Sequence, residues 1–259
     1  MPDVTKEQIV RDIHAMGVRA GDLLLVHSSL KSIGRVIGGA ETVAQAIVEV
    51  VSPGGTVFVP TFNFGKLPWN PITTDSIVGA ITNAFRKLPG AQRSLQCTHP
   101  VAAIGPLAFE ILAGHEKTQP FAVDSPLGKL WKLNTWVLLV GCGHNSSSMI
   151  HIAEEAEDVP YLNRSRVQTI IDGDQRYEVT VRRPGFSNGF YKIDPHLRSR
   201  GAIKVGKVGE AECMLIRAAD IVETAREMLR DDVAALLCDD PACEGCTESR
   251  ALIARSVQD

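Results

Sequence analysis

The chain has 259 residues, a formal net charge of −3, 44% hydrophobic residues and 22% charged residues. That length and balance suit one large or two small α/β domains with a core that needs no disulfides. The longest basic blocks are short and no run approaches a membrane span, so a nucleic-acid binder and a membrane-spanning chain are set aside. The N-terminal stretch carries early acids and helical spacing without an apolar core, unlike a signal peptide. Six cysteines in such a chain read as reduced thiols of a cytoplasmic protein.

In chain order, Thr5 to Met16 reads as a helix capped by Thr5, with Ile9, Ile13 and Met16 on one face. Asp22 to Val26 is an apolar strand leading into His27-Ser28-Ser29, and Glu41 to Val51 is a helix. After the turn Pro53-Gly54-Gly55, Thr56 to Pro60 is a second strand, completing a βαβ unit with parallel strands. Helices are expected over Ser76 to Arg86 and Ala108 to Ala113, and from Leu127 to Leu133 after Ser125-Pro126. Between them, Val101 to Ile104 is a short strand. Trp136 to Val140 is a third apolar strand, followed by a polar loop and a helix from Met149 to Ala156. Gln168 to Ile171 and Tyr177 to Arg182 flank a polar turn and read as a hairpin added antiparallel to the core. Ala202 to Val205, Val208 and Cys213 to Arg217 suggest further short strands, and Ala219 to Leu237 a last amphipathic helix. The expected fold is α/β: one domain over residues 1–259, a mixed sheet with a parallel core and antiparallel additions, and helices on both faces. Residues 238–259 read as a polar, cysteine-containing, loosely held tail.

Three apolar strands end in polar loops: His27-Ser28-Ser29, Thr61-Phe62-Asn63 and Gly141 to Ser148. Open α/β sheets bind ligands at the carboxyl ends of their strands, so these loops are expected to share one cleft. If Met149 onward is helical, His151 has Glu154 at i+3 and Glu155 at i+4. A carboxylate beside an imidazole fixes its tautomer and suits it to general-base work, although a surface His–Glu pair without a role fits the same spacing. The loop His27 to Lys31 with Gly34, Gly38 and Gly39 offers backbone N–H groups and hydroxyls for a pyrophosphate, without any dinucleotide or Walker fingerprint. Cys142 and His144 could form a thiol nucleophile and its base, or Cys142 could be a small buried hydrophobe. Cys238, Cys243 and Cys246 supply three of the four ligands that structural zinc uses, so no metal is expected. His14 and His115 read as ordinary exposed residues.

With these motifs in order, the sequence resembles the aminoglycoside 3-N-acetyltransferase family, which has the antibiotic N-acetyltransferase fold. The matching pieces include Asp22 to Leu30, Gly38-Gly39, Gly54-Gly55-Thr56, Pro60-Thr61-Phe62, Arg93-Ser94 and His99-Pro100. They continue with Gly105-Pro106, Asp124 to Gly128, Val137 to Gly143, the run His144 to Glu155, Pro184-Gly185 with Gly189-Phe190, and Gly206 to Ala211. The resemblance implies direct acetyl transfer from acetyl-coenzyme A to a primary amine, without a covalent acetyl-enzyme. It implies that His151 is the catalytic histidine, partnered by Glu154 or Glu155. It puts His27, Ser28, Ser29, Leu30 and Ser125 beside the coenzyme, and Ser148 near the reacting thioester. A pocket lined by Glu154, Glu155, Glu157 and Asp158 is expected for a polycationic acceptor. The chain departs from the family pattern at an insertion, Leu95 to Thr98, at Phe186, where cysteine is frequent, and over Cys142 to Ser147.

The expected function is therefore N-acetylation of an aminoglycoside or similar cationic small molecule, the activity associated with antibiotic resistance. The alternatives are a biosynthetic acyl-coenzyme A:amine acyltransferase with another acceptor, or a thiol hydrolase using Cys142 and His144. Expected partners are the small-molecule amine and, in a homodimer, a second copy of the chain. Nucleic acid and membrane are not expected.

Overall fold

The computed structural model describes residues 3–256. The outermost residues of the expected domain, 1, 2 and 257–259, lie outside that range. The order begins with α1 (Lys6–Met16), β1 (Leu23–Ser28), the single-turn α2 (Leu30–Ile33), α3 (Gly39–Val51) and β2 (Thr56–Pro60). Next come α4 (Ala80–Phe85), β3 (Gln92–Arg93), β4 (Val101–Ile104), α5 (Ala108–Leu112), α6 (Pro126–Lys132) and β5 (Trp136–Val140). The second half adds α7 (Met149–Ala156), β6 (Ser165–Asp172), β7 (Gln175–Arg182), α8 (Asp194–Ser199) and β8 (Lys204–Val208). It ends with β9 (Ala211–Arg217), α9 (Ala218–Asp231) and α10 (Glu244–Ser256).

Seven strands form a sheet in the order β3-β4-β2-β1-β5-β9-β8. The central β2, β1 and β5 run parallel, with Leu24 opposite Val57 on one side and Trp136 on the other. The flanking pairs β2–β4, β3–β4, β5–β9 and β8–β9 are antiparallel. β2 and β5 are buried at every residue, which is why they read as unbroken apolar runs rather than alternating ones. Successive side chains still leave opposite faces. Leu25, Val137 and Leu139 enter one cluster with residues of α5, α6, α7 and α9. Leu24, Val26 and Leu138 enter the other, with residues of α1, α3 and α4. Each fully buried Leu or Ile in these layers contributes roughly 1.5–3 kcal/mol.

Local chemistry sets the helix ends. Thr5 Oγ1 accepts the Gln8 backbone N–H at 3.3 Å, and Gly17 closes α1 at φ 110°, a left-handed conformation that glycine adopts without a Cβ clash. Ser125 Oγ accepts the Gly128 N–H at 3.3 Å, with Pro126 in the first turn of α6. The expected helix over Ser76 to Arg86 starts only at Ala80, because the Asn83 side chain folds back to bond the backbone of Ser76.

Three expectations change. The hairpin β6–β7 is a separate two-stranded sheet, not an addition to the main one. It is held by the Trp69 N–H to Thr169 O (2.8 Å), the Ile171 N–H to Trp69 O (2.6 Å), and a cluster of Trp69, Cys97, Ile170 and Val181. Cys97, within the segment Leu95 to Thr98, belongs to that cluster. The last expected helix stops at Asp231, where the Asp232 carboxylate accepts the Ala234 N–H in a turn. The tail beyond Cys238 is not loose: it forms α10, anchored by Arg164 to Glu248 at 2.6 Å and Arg250 to the Cys238 carbonyl at 2.7 Å. Among the described residues no helix is long and apolar enough to cross a membrane.

Candidate active site

The parallel strands β2, β1 and β5 deliver their carboxyl ends to one cavity of about 460 Å3. His27 and Ser28 come from β1, Pro60 and Phe62 from β2 and its loop, and Asn145 to Ser148 from the loop after β5. β1 has β2 on one side and β5 on the other, so the chain reverses direction across the sheet there, which opens such a crevice. The three loops expected to converge do so.

His151, in the first turn of α7, lines this cavity. Its Nδ1 bonds Glu154 Oε2 at 2.6 Å, which leaves Nε2 as the nitrogen free to meet a substrate. Glu154 is fully buried, and its other oxygen accepts the Tyr161 hydroxyl at 2.9 Å. Burial, followed by the charge of Glu154, holds the Tyr161 hydroxyl well above its ordinary pKa, so it stays a donor. The imidazole is stacked on Phe121 (4.6 Å between centroids, 29° between planes) and meets Phe190 edge-on at 4.8 Å. Its orientation is therefore fixed by a hydrogen bond at one nitrogen and by aromatic rings on its faces. Gly185 backs onto the same carboxylate: a Cβ there would lie 2.6 Å from Glu154 Oε1.

Glu155 is not the partner of His151, which corrects that alternative. One residue further along a helix turns the side chain by about 100°, and Glu155 reaches Arg182 at 2.9 Å instead. Burial raises its pKa and the Arg182 charge partly offsets this. The expected acid lining also fails. Glu154 is spent on His151 and Tyr161, Glu157 on Arg226 and Arg230 at 2.7 Å each, and Asp158 lies 3.8 Å from Arg182. Among the described residues no carboxylate lines the cavity.

Of the residues expected beside the coenzyme, His27, Ser28 and Ser148 line the cavity. Ser29, Leu30 and Ser125 do not: Ser29 bonds Ser32, Leu30 packs into the core, and Ser125 caps α6. The Gly-rich stretch is also elsewhere, with Gly34 against Glu210 and Gly38 at the start of α3. Burial lowers the His27 pKa to about 4 and, as the largest cause, sets His99 well below its ordinary value, so both rings are neutral in the cavity wall. Ser147 also lines the cavity, and its buried hydroxyl has no hydrogen-bond partner among the described residues.

Cys142 and His144 do not form a thiol–imidazole pair. His144 Nε2 bonds Asp194 Oδ1 at 3.1 Å, and Arg198 holds the other Asp194 oxygen at 2.5 Å. Cys142 and His144 line a second cavity of about 550 Å3, away from His151, and burial pushes the Cys142 thiol up to about 11. A protonated thiol is no nucleophile. His115 is buried, not exposed, and its ring meets Ser94 Oγ at 2.8 Å and the Pro120 carbonyl at 3.2 Å. In the tail, the sulfurs of Cys238, Cys243 and Cys246 lie within 4.8 Å of one another. Hydrogen bonds, first from the Cys246 backbone, lower Cys243 to about 7, while burial pushes Cys246 up to about 12. A Cβ on Gly245 would lie 2.5 Å from the Phe186 ring, so that ring is packed against the chain between two of these cysteines.

Sequence reasoning gave no role to Phe121, Phe190 and Tyr161, which orient the His–Glu pair: Phe121 is far from it in the chain, Tyr161 carries no motif, and Phe190 entered only within the Gly189-Phe190 match. Pro184-Gly185 was the available signal: a glycine that closes over Glu154.

The aminoglycoside 3-N-acetyltransferase family model matches residues 25–230. The chain is 31% identical over 251 residues to an aminoglycoside N(3')-acetyltransferase-like protein, YokD, of Bacillus subtilis, covering 86% of this chain and 91% of that protein. It is 31% identical over 232 residues to aminoglycoside N(3)-acetyltransferase IV of a Salmonella species, covering 88% of each. Among solved structures, a histidine-to-alanine mutant of aminoglycoside acetyltransferase AAC(3)-IVa in complex with a gentamicin superposes with a TM-score of 0.89. It is 30% identical, over 98% of this chain and 99% of that one. The chain belongs to the aminoglycoside 3-N-acetyltransferase family.

Proposed function

We propose that the protein transfers the acetyl group of acetyl-coenzyme A directly to a primary amine of an aminoglycoside or a similar cationic small molecule. The observation that carries this reading is the His151–Glu154–Tyr161 chain, which leaves one imidazole nitrogen on a cavity at the carboxyl ends of three parallel strands. An ammonium has no lone pair, so the acceptor must lose a proton before or as it attacks. His151 Nε2 takes that proton while Nδ1–H donates to Glu154, whose charge stabilises the imidazolium that forms. The amine nitrogen bonds to the thioester carbonyl carbon, the oxygen takes up negative charge, and the carbon–sulfur bond then breaks. As that bond breaks the carbonyl re-forms, the imidazolium returns its proton to the departing sulfur so that the coenzyme leaves as a thiol, and the nitrogen gives its surplus proton to solvent, leaving a neutral amide. The hydroxyls of Ser147 and Ser148 are on hand for the oxyanion, and Ser147 has an uncommitted one. Holding amine and thioester together in the cavity supplies the positional part of the rate.

Acetyl-coenzyme A and six free cysteines both fit a cytoplasmic setting. A thiol-release assay with acetyl-coenzyme A against aminoglycosides, polyamines, amino sugars and a small peptide tests the reading. Release with an amine bearer is the expected result. His151→Ala should then lower turnover by about 10²–10⁴-fold with coenzyme affinity nearly unchanged. Near-normal turnover in that variant would remove His151 as the base.

A further inference from the structure

The charged residues lining the His151 cavity are of one sign. Lys66, Arg166 and Arg183 line it, no carboxylate among the described residues does, and burial keeps His27 and His99 neutral. Neighbouring arginines on the same hairpin are compensated: Arg164 has Glu248 at 2.6 Å and Arg182 has Glu155 at 2.9 Å. Arg166 and Arg183 have no such partner: among the described residues no carboxylate lies within 4.0 Å of either guanidinium, or of the Lys66 ammonium. Arg166 is instead tethered through one guanidinium nitrogen to the Phe64 carbonyl, with Gly65 leaving room for its stem: a Cβ there would lie 2.9 Å from Arg166 Cδ. Burial first, and then the charge of Arg183, lowers the pKa of Arg166, which has no carboxylate beside it among the described residues to offset either. Both arginines are half-buried, Arg166 in β6 and Arg183 just past the end of β7, and the Trp69–Cys97–Ile170–Val181 cluster holds that hairpin in place. Holding two like charges together at a cavity wall is unfavourable unless something negative joins them.

We infer that Arg166, Arg183 and Lys66 form an anion seat on the His151 cavity, which takes a phosphate or carboxylate group of a substrate that reacts there. The inference rests on the acetyl-transfer reading for the identity of that substrate, but not for the seat itself. Two sources carry the right chemistry. One is the phosphates of the coenzyme, which leaves the acceptor free to be a polycation. The other is an acidic group on the acceptor, which makes it a zwitterion or an anion. Two guanidinium planes favour oxyanions through paired N–H donors, and Lys66 adds a mobile point charge.

The test compares the wild type with Arg166→Ala/Arg183→Ala, with circular dichroism and melting temperature checking that the double variant folds. Calorimetry measures binding of inorganic pyrophosphate, coenzyme A, pantetheine (which lacks the phosphates), and glucosamine 6-phosphate against glucosamine with coenzyme present. The double variant should weaken pyrophosphate by about tenfold or more. A matching loss for coenzyme A but not pantetheine assigns the seat to the donor. A loss for glucosamine 6-phosphate, with coenzyme A and glucosamine unchanged, assigns it to the acceptor. If pyrophosphate, coenzyme A and the sugar phosphate all bind the folded double variant within about twofold of wild type, the seat does not exist. If the wild type releases no thiol with any amine yet its pyrophosphate binding is lost in the double variant, the acetyl-transfer reading fails and the seat stands. Arg166→Glu supplies a second check, since it should strengthen binding of a polycationic aminoglycoside if the acceptor meets this wall, and weaken pyrophosphate in either case.

Discussion

The His151–Glu154 pair works by being crowded. Its hydrogen bond is 2.6 Å long, Tyr161 holds the far oxygen, and Gly185 covers the carboxylate with no room for a methyl group. Glu154→Gln keeps the shape but removes the charge that stabilises an imidazolium. It should lower kcat by roughly 10²-fold or more with little change in KM for coenzyme, in the range of general-base effects. Gly185→Ala should cost activity for a different reason: the added Cβ would displace Glu154 or open the Pro184 to Asn188 segment of the cavity wall. Steady-state kinetics on both variants separates the cases, because only the glycine variant should also raise KM. A Glu154→Gln enzyme with wild-type kcat would show that the carboxylate does no more than hold the ring.

At the scale of elements, α10 decides more than its polar sequence suggests. It buries Cys246 and Ser249, packs Gly245 against Phe186, and binds Arg164 through Glu248. Phe186 lines the reactive cavity, so the tail supports the site from behind. Truncation after Leu237 should therefore lower the melting temperature by several degrees, as a loss of about 1–3 kcal/mol does in a chain of this size, and raise KM for the acceptor. Differential scanning calorimetry and steady-state kinetics would read both, and an unchanged Tm with unchanged KM would return the tail to the status of an appendage. Cys243 is half-buried with its thiol lowered to about 7, whereas Cys142 is pushed up to about 11. Iodoacetamide at neutral pH should label Cys243 first, with Cys142 left unmodified by peptide mass mapping.

Across the whole molecule, buried histidines set the response to acid. His27 and His115 fall from 6.5 to about 4 through burial, and His99 is held well below its ordinary value, chiefly by burial. All three are neutral when folded, whereas the unfolded chain protonates them near pH 6.5. The unfolded state thus binds more protons between about pH 6.5 and 4, and stability must fall as pH falls through that window. Each group lowered to about 4 removes roughly 3 kcal/mol across the window, on the scale of 1.36 kcal/mol per pH unit. Urea midpoints should be nearly level above pH 7 and drop steeply from pH 6 to pH 5, and equal midpoints at pH 7.5 and 5 would contradict the burial of these rings.

The order of strands and helices, both faces of the central sheet, and the meeting of three loops at the ends of β1, β2 and β5 were legible in the sequence, because apolar runs and caps are local signals. His151 with a carboxylate nearby was legible for the same reason: it needs only helical spacing. Which glutamate bonds the imidazole was not, since that depends on helix phase within one residue. The hairpin's independence from the main sheet, the order of the tail, and the aromatic rings around His151 come from contacts between distant segments. The sign of the cavity is the clearest case. Glu154, Glu155, Glu157 and Asp158 sit together in the chain and promise an acidic pocket, yet Glu154 bonds His151, Glu155 and Asp158 share Arg182, Glu157 takes Arg226, and Lys66, Arg166 and Arg183 from other segments line the wall instead. Composition and spacing determine which charges exist. Only tertiary packing decides which of them are neutralised and which are left facing a substrate, because that depends on distances between side chains far apart in the sequence.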